Sequence, residues 1–118
     1  MNEADLHLVQ TREYIDRASL RLKFRRSVRT DDGAGGTRTA PPVDLDPQRV
    51  RVVGLRTPRT AVSPEGRTVT VDKAVVGLPG MDVKVGDYFT YVGRNYQVVT
   101  VSEDPGWRTV AEASSRGA

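Results

Sequence analysis

Short runs of alternating apolar and polar residues recur along the chain and predict β-strands. The clearest run lies at residues 18–28, where apolar and basic side chains alternate over seven residues. A period of two places the two sets on opposite faces of an extended strand. The apolar members are Leu20, Leu22 and Phe24, and the basic face comprises Arg21, Lys23, Arg25 and the adjoining Arg26. This basic face is a candidate functional surface, although charged side chains also discourage unwanted pairing at a sheet edge.

The stretch richest in apolar and aromatic residues, 82–101, predicts a β-hairpin around which the rest of the chain is organised. Two strand-like runs, 88–92 and 96–101, flank a turn at residues 93–95 that begins with glycine, which is typical of hairpins. Apolar side chains alternate onto both faces, as expected in a barrel, a sandwich or a subunit covered by its neighbour. The side chains expected to pack there or to contact another subunit are Tyr88, Phe89, Tyr91, Arg94, Tyr96 and Trp107.

Other strand-like runs are separated by segments rich in proline and glycine. The predicted strands are 48–57, 67–77 and 107–113, and the predicted turns are 58–64, 78–81 and 102–106. Six or seven short strands at roughly ten-residue spacing predict an all-β fold, a small antiparallel barrel or sandwich. At 118 residues the chain is expected to form a single domain.

A long polar segment at residues 29–47 predicts a flexible loop without a regular element. It holds three glycines, three prolines and four aspartates, and structureless loops of this length are usually functional or disordered. The sequence Gly-Ala-Gly-Gly at 33–36 is followed by neither Gly-Lys-Ser/Thr nor a helix-forming run, which excludes a P-loop. An arm that reaches a neighbouring molecule fits this composition. The residues expected to serve it are Arg29, Asp31, Asp32, Gly33, Gly35, Gly36 and Arg38.

Little in the sequence points to catalysis. The chain has no cysteine and a single histidine, His7, within residues 1–17, whose sparse apolar residues fit either a helix or a short strand. A lone histidine without a carboxylate partner nearby in sequence is interpreted as a surface or packing residue. We therefore assign no catalytic residue and no cofactor, and we predict that the protein is not an enzyme.

The acidic residues are interpreted as turn residues, not as metal ligands. Asp31, Asp32, Asp44 and Asp46 lack the spacing and the closing glutamate of a calcium loop. Asp87 follows a glycine, and its carboxylate is expected to accept hydrogen bonds from nearby backbone N–H groups.

Basic residues are concentrated in one half of the chain. Residues 12–59 hold twelve Lys and Arg against six Asp and Glu, whereas residues 60–118 hold six against seven. This basic half is suited to a polyanion such as nucleic acid, or it is a solvated strand face with charged loops. No apolar run approaches the length of a signal peptide or a membrane helix, so we expect no membrane partner and assembly in a cytoplasmic compartment.

The second half of the chain resembles the head-to-tail stopper, or head-closure, proteins of long-tailed bacteriophages, in particular those of actinobacterial phages. The residues that carry the resemblance are Val-Lys-Val-Gly-Asp-Tyr-Phe at 83–89, Gly-Arg-Asn-Tyr-Gln-Val-Val-Thr-Val at 93–101, Trp107, and Pro-Gln-Arg-Val-Arg-Val at 47–52. The likeness spans roughly residues 45–113 and consists of a pattern of strands and turns. Residues 1–40 match only in their general organisation, an early strand followed by a long polar loop.

This resemblance implies a β-barrel subunit that forms a homo-oligomeric ring, six- or twelvefold, in the virion neck. The implied partners are the portal and adaptor ring above, the tail terminator or tail tube below, and the genome DNA in the channel, toward which the loop at residues 29–47 would project. Two alternatives stay open. One is a tail-terminator or tail-completion subunit, and the other is a nucleic-acid-binding barrel. In the latter, Tyr88, Phe89, Tyr91 and Tyr96 would form a stacking platform with Arg94.

Overall fold

The structure, a computed structural model, describes residues 3–27, 29–31, 37–39, 42–104 and 106–115, which form one helix and ten strands. The helix α1 spans Glu3–Asp16. The strands are β1 (Leu20–Leu22), β2 (Arg25–Arg26), β3 (Arg29–Asp31), β4 (Thr37–Thr39), β5 (Val43–Asp44), β6 (Gln48–Val62), β7 (Thr68–Gly77), β8 (Tyr88–Tyr91), β9 (Arg94–Asp104) and β10 (Arg108–Ser115). The predicted all-β class is confirmed, and the N-terminal segment adopts the helical alternative.

Eight strands form one antiparallel sheet in the order β1-β6-β7-β10-β9-β8-β2-β5. Strands β1 and β2 lie six positions apart in this order, yet only Lys23 and Phe24 separate them in sequence. A flat sheet would hold them roughly 29 Å apart at about 4.8 Å per strand, whereas three residue steps reach at most about 11 Å. The sheet therefore curls until its two ends approach at this corner, although no ladder joins β1 to β2 in the described residues. The result is a barrel-like, incompletely closed sheet.

The corner divides the single strand predicted at residues 18–28. Strand β1 pairs with β6, and β2 pairs with both β8 and β5. Leu22 and Phe24 are buried as the alternation predicted, and Leu20 packs against the same core while partly buried. The period of two therefore identified the inward-facing residues. The same pattern did not predict the bend between β1 and β2.

One continuous core is built from side chains of β1 and β6 to β10, together with Phe24 and Val83. Phe89 lies at its aromatic centre. Its ring meets Phe24 edge-on at 5.7 Å between centroids and stacks on Tyr96 at 5.3 Å. Such aromatic pairs stabilise a core beyond the apolar area that they bury. Phe89 and Tyr96 are therefore structural residues of the barrel.

Strands β6 and β7 form a long hairpin whose turn differs from the predicted one. The sequence predicted a turn at residues 58–64, but β6 continues to Val62 and the turn lies at residues 63–67. The register between the two strands shifts between Gly54 and Arg59. Pro58 lies in this irregularity, where its missing N–H interrupts no regular ladder bond. The proline thus marks a bulge in a strand, not the end of one.

The central hairpin of β8 and β9 has a tighter turn than predicted. Tyr91 pairs with Arg94, so the turn consists of Val92 and Gly93 alone, and residues 94–95 belong to β9. Val92 has φ of 50° and Gly93 has φ of 74°. A type I′ turn requires a positive φ at both of its central residues. The run at residues 82–85, which alternates in sequence, is not a strand.

A second, two-stranded sheet replaces part of the loop predicted at residues 29–47. Strands β3 and β4 pair antiparallel, with Arg29 opposite Thr39 and Asp31 opposite Thr37. Among the described residues, they form no ladder with the eight-stranded sheet. The prediction of a segment without regular structure is therefore wrong, because β-branched threonines and backbone hydrogen bonds suffice for a short hairpin. We refer to β3 and β4 as the projecting hairpin.

Helix α1 packs against the strands through a few buried side chains. Ile15 and Thr11 are buried, and the ring of His7 stacks on Trp107 at 4.5 Å between centroids. His7 is thus a packing residue, as interpreted. The premise that it has no carboxylate nearby in sequence is wrong, because Glu3, one helical turn earlier, lies 3.5 Å from its Nε2. No helix in the described part of the chain is long and apolar enough to span a membrane.

Candidate interaction surface

The predicted basic face is only partly available to a partner. Lys23 and Arg25 both lie within ion-pair distance of Asp44, at 3.7 and 2.9 Å. Asp44 belongs to β5, so its prediction as a turn residue is wrong, although its side chain is exposed, as expected of a solvated residue. Arg21 is exposed, pairs directly opposite Arg49 in the ladder between β1 and β6, and has no ion-pair partner among the described residues.

Arg26 departs from the predicted basic face because its side chain turns toward Asp87. Its Nε donates to Asp87 Oδ1 at 3.0 Å and its Nη2 to Asp87 Oδ2 at 2.9 Å. Asp82 also accepts a hydrogen bond from Nη2, at 3.0 Å. The hydrogen bonds to Asp87 are the main reason that the pKa of Arg26 is raised, and the bond to Asp82 adds to this effect. Charge-assisted, two-pronged bonds of this kind fix both partners in one orientation.

The same carboxylate organises the turn that leads into β8. Asp87 Oδ2 accepts a hydrogen bond from the backbone N–H of Lys84 at 2.8 Å, which confirms the turn role predicted from the sequence. The backbone of Asp87 also accepts from the N–H of Val98 on β9. Sequence reasoning identified this turn but missed the ion pair with Arg26, since the two residues are separated by 61 positions. Asp87 is thus a structural hub between β2, β8 and β9.

Two adjoining open clefts lie between the β6–β7 turn and the strands β8 to β10. One has a volume of about 370 Å³ and the other about 530 Å³, and both are lined by Glu65 and Gln97. Gln97 is buried and its Nε2 donates to Glu65 at 3.0 Å and to the Tyr88 hydroxyl at 3.3 Å. Neither cleft is lined by His7. Their linings offer hydrogen-bonding and charged groups.

The aromatic residues proposed for the hairpin fall into two groups. Phe89 and Tyr96 lie in the core, where they are 2% and 3% exposed. Tyr88 and Tyr91 are partly buried, and Arg94 is exposed. Trp107 stacks on His7 and lies under the guanidinium of Arg108, so it serves the docking of α1. Because two of the four hairpin aromatics are buried, the described residues do not present the stacking platform of a nucleic-acid-binding barrel.

Several valines are exposed where the barrel-like sheet ends or turns. Val92, at the tip of the central hairpin, is 81% exposed, and Val62, at the end of β6, is 66% exposed. Val85 is 52% exposed and lines the larger cleft beside Pro64. Single exposed apolar side chains are normal on protein surfaces, so these valines do not by themselves define a binding surface.

The candidate loop residues are only partly covered by the structure. Asp32, Gly33, Gly35 and Gly36 lie outside the described residues. Arg29, Asp31 and Arg38 lie in the backbone of the projecting hairpin. Asp31 is therefore a strand residue, contrary to its prediction as a turn residue.

Neither a metal-binding cluster among the described residues nor a match to a known protein narrows the function further. Among the described residues, no three His, Asp or Glu side chains lie close enough together to hold a metal ion. No protein-family model and no curated protein matches this sequence.

Proposed function

We propose that this protein is a structural subunit of the neck of a long-tailed bacteriophage, where it forms a ring that closes the DNA-filled head and docks the tail. The observation that carries the proposal is the projecting hairpin, which leaves the curled sheet between β2 and β5 without pairing to it. The resemblance implies a long loop that projects from the barrel toward the channel or an adjacent ring, and here that role would fall to residues 29–47. The projecting hairpin has the position and the independence that this role needs.

The surface properties support an assembly role. The two clefts offer hydrogen-bonding and charged groups at one side of the sheet. In the proposed neck, copies of this chain contact one another, the portal and adaptor ring above, and the tail terminator or tail tube below. A tail-terminator subunit would use the same surfaces, and binding to a tail tube without binding to an adaptor ring would identify it.

Nucleic-acid binding is a second candidate because one observation favours it. Arg21 and Arg49 face each other across a strand pair, and cross-strand like charges are unfavourable unless an anion lies nearby. Arg49 has such an anion within the chain, since its Nη2 lies 2.7 Å from Asp16. This local neutralisation, together with the buried hairpin aromatics, makes the assembly role the better supported of the two.

Chemical cross-linking at low salt, followed by mass-resolved analysis, tests the proposed ring. A closed ring produces a ladder of cross-linked species that stops at a fixed number of subunits, expected to be six or twelve, whereas an open filament gives no upper limit. Negative-stain images of the same sample should show annular particles. A chain that stays monomeric and binds duplex DNA with an affinity that falls steeply with salt would overturn the proposal in favour of nucleic-acid binding.

A further inference from the structure

We propose that the distal part of the β6–β7 hairpin, residues 59–71, is a hinged flap that opens and closes over the outer face of β9 and β10. The inference goes beyond the proposed neck role and does not depend on it. Three features carry it. The flap has no ladder with any other strand of the sheet, it begins at an interruption of its own ladder, and the face that it covers is polar.

The flap is a two-stranded ribbon that no other strand supports. Its ladder runs from Arg59, opposite Val71, to the turn at residues 63–67. Strand β1 pairs with β6 only at residues 48–50, and β10 pairs with β7 only at residues 73–77. In the described part of the chain, the ladder of the flap therefore joins only its own two strands. Because a lone two-stranded hairpin is marginally stable in water, the flap depends on side chains that hold it to the sheet.

The hinge lies where the ladder between β6 and β7 is interrupted. Gly54 ends the proximal part of the ladder and Arg59 begins the distal part, so residues 55–58 stand opposite a single residue, Asp72. Extra residues of this kind disrupt the ladder and bend the strand. Asp72 Oδ1 is buried at this point and has no hydrogen-bond partner among the described residues. Since an unsatisfied buried polar atom is unfavourable, a motion that admits water to the hinge lowers this cost.

The face beneath the flap consists of side chains that belong on the solvent side of the sheet. Gln97 lies between Tyr96 and Val98, and Ser114 follows Ala113, and these three neighbours all pack in the core. Alternation therefore points Gln97 and Ser114 away from the core, yet they are only 4% and 5% exposed. The flap covers them, because its residues form one wall of the smaller cleft and Gln97 and Ser114 line the other. Water can solvate these polar groups when the flap lifts, so uncovering them costs little.

Two side-chain contacts hold the flap closed. Near the hinge, Arg59 forms a two-pronged ion pair with Glu112 on β10. At the tip, Glu65 accepts a hydrogen bond from Nε2 of Gln97 at 3.0 Å. The one buried apolar side chain of the flap is Val71, which lies beside the hinge. The tip can therefore lift without exposing the apolar core.

Opening of the flap would change the shape of this side of the sheet. Both clefts have Glu65 and Gln97 in their linings, so breaking the hydrogen bond between these residues would join them. Volumes of about 370 and 530 Å³ would then form one polar groove. The flap is thus a lid over a groove whose walls offer hydroxyl, amide and charged groups.

Hydrogen exchange of the full chain, measured by mass spectrometry of its peptides, tests the flap. Amides of residues 59–71 should exchange through a local opening that low urea concentrations barely change, whereas amides of residues 73–77 should follow global unfolding. Arg59→Gln should speed exchange in the flap on the order of two- to fivefold, the effect of losing one partly exposed ion pair.

Two further variants serve as controls for the exchange experiment. Leu22→Ala, in the core, weakens the closed and open forms alike, so it should speed exchange at residues 73–77 without speeding it in the flap. Arg94→Gln removes the same charge at an exposed position in the tip of the central hairpin and should speed neither. Flap exchange that rises with urea as steeply as that of residues 73–77, or that ignores Arg59→Gln, would overturn the inference.

Spin labels provide a second, independent readout. The chain has no natural cysteine, so Arg67→Cys with Ser115→Cys labels only the two walls of the smaller cleft. In labelled chain diluted with unlabelled chain, we expect two distances between the labels, and the longer one should gain population when Arg59→Gln is added. A single distance in both backgrounds would refute a flap that opens. Neither readout depends on whether copies of the chain assemble into a ring.

Discussion

Arg26 and Asp87 form a two-pronged ion pair across 61 positions of sequence, and the carboxylate is only 1% exposed. Arg26 comes from β2, which lies between β8 and the edge strand β5, and Asp87 comes from the turn before β8. A buried carboxylate that loses its cation is left with an unfavourable desolvated charge. The ion pair is therefore expected to hold β2 against the turn that leads into β8.

The substitution Arg26→Met tests how much this ion pair contributes to the stability of the fold. We expect the free energy of unfolding to fall by about 3 kcal/mol, because the change leaves a buried carboxylate without its partner. The matched control is Arg25→Met on the same strand, whose pair with Asp44 is exposed and should contribute at most about 1 kcal/mol. Urea unfolding followed by circular dichroism measures both. Equal losses in the two variants would show that Asp87 does not depend on Arg26.

Val92→Asn should stabilise the protein. A β-branched residue with φ of 50° is strained, and left-handed backbone costs non-glycine residues on the order of 1 kcal/mol or more. Asn-Gly is the favoured pair for this turn, so we expect a gain of about 1 kcal/mol. The same change at Val85, which is exposed but has no positive φ, serves as the control. A thermal melt in which both variants behave alike would argue against strain at Val92.

Acid should weaken the contact between Arg59 and Glu112. The hydrogen bonds from Arg59, and in smaller part from Thr100, hold the pKa of Glu112 below its ordinary value despite partial burial. The unfolded chain therefore binds a proton at higher pH than the folded one. The stabilisation is complete above the ordinary glutamate pKa of about 4.3 and is lost as pH falls through the lowered folded value.

The variant Glu112→Gln measures this contribution. It should flatten the dependence of the free energy of unfolding on pH below about 4.3, whereas Glu103→Gln, at an exposed position, should leave that dependence close to the wild-type curve. Urea titrations at several acidic pH values provide the comparison. A wild-type slope that survives in Glu112→Gln would assign the acid sensitivity to other carboxylates.

Deletion of residues 32–39 should leave the eight-stranded sheet folded. The deletion removes β4, which pairs only with β3 among the described strands, so the main sheet loses no ladder. A circular dichroism melt should remain close to that of the wild type, whereas Phe89→Ala, in the core, should cost about 3 to 5 kcal/mol. Unfolding of the deletion variant would show that the projecting hairpin belongs to the core. In a virion, the deletion should impair neck assembly or DNA retention.

The sequence predicted the core more completely than the surface. Alternation identified Leu22 and Phe24 as buried because a period of two is a local property of the chain. The bend at Lys23 and Phe24 was missed because it follows from which strands pair, and pairing is a long-range property. The same reason applies to Arg26, whose partner could not be found by spacing, and to α1, whose helical pattern is weak because few of its side chains are buried.

The two-residue link between β1 and β2 also constrains the order of events in folding. The hairpins β6–β7, β8–β9 and β9–β10 join segments that are close in sequence and can form early, since closing a short loop costs little entropy. Strands β1 and β2 are adjacent in sequence, but each needs a partner supplied by the later strands, and the pairs of β2 with β8 span about 63 residues. We therefore expect the pairing of β2 with β8 to form after these local hairpins. Strand β5, which among the described strands pairs only with β2, is expected to join the sheet with it and to be the first strand to separate from that edge.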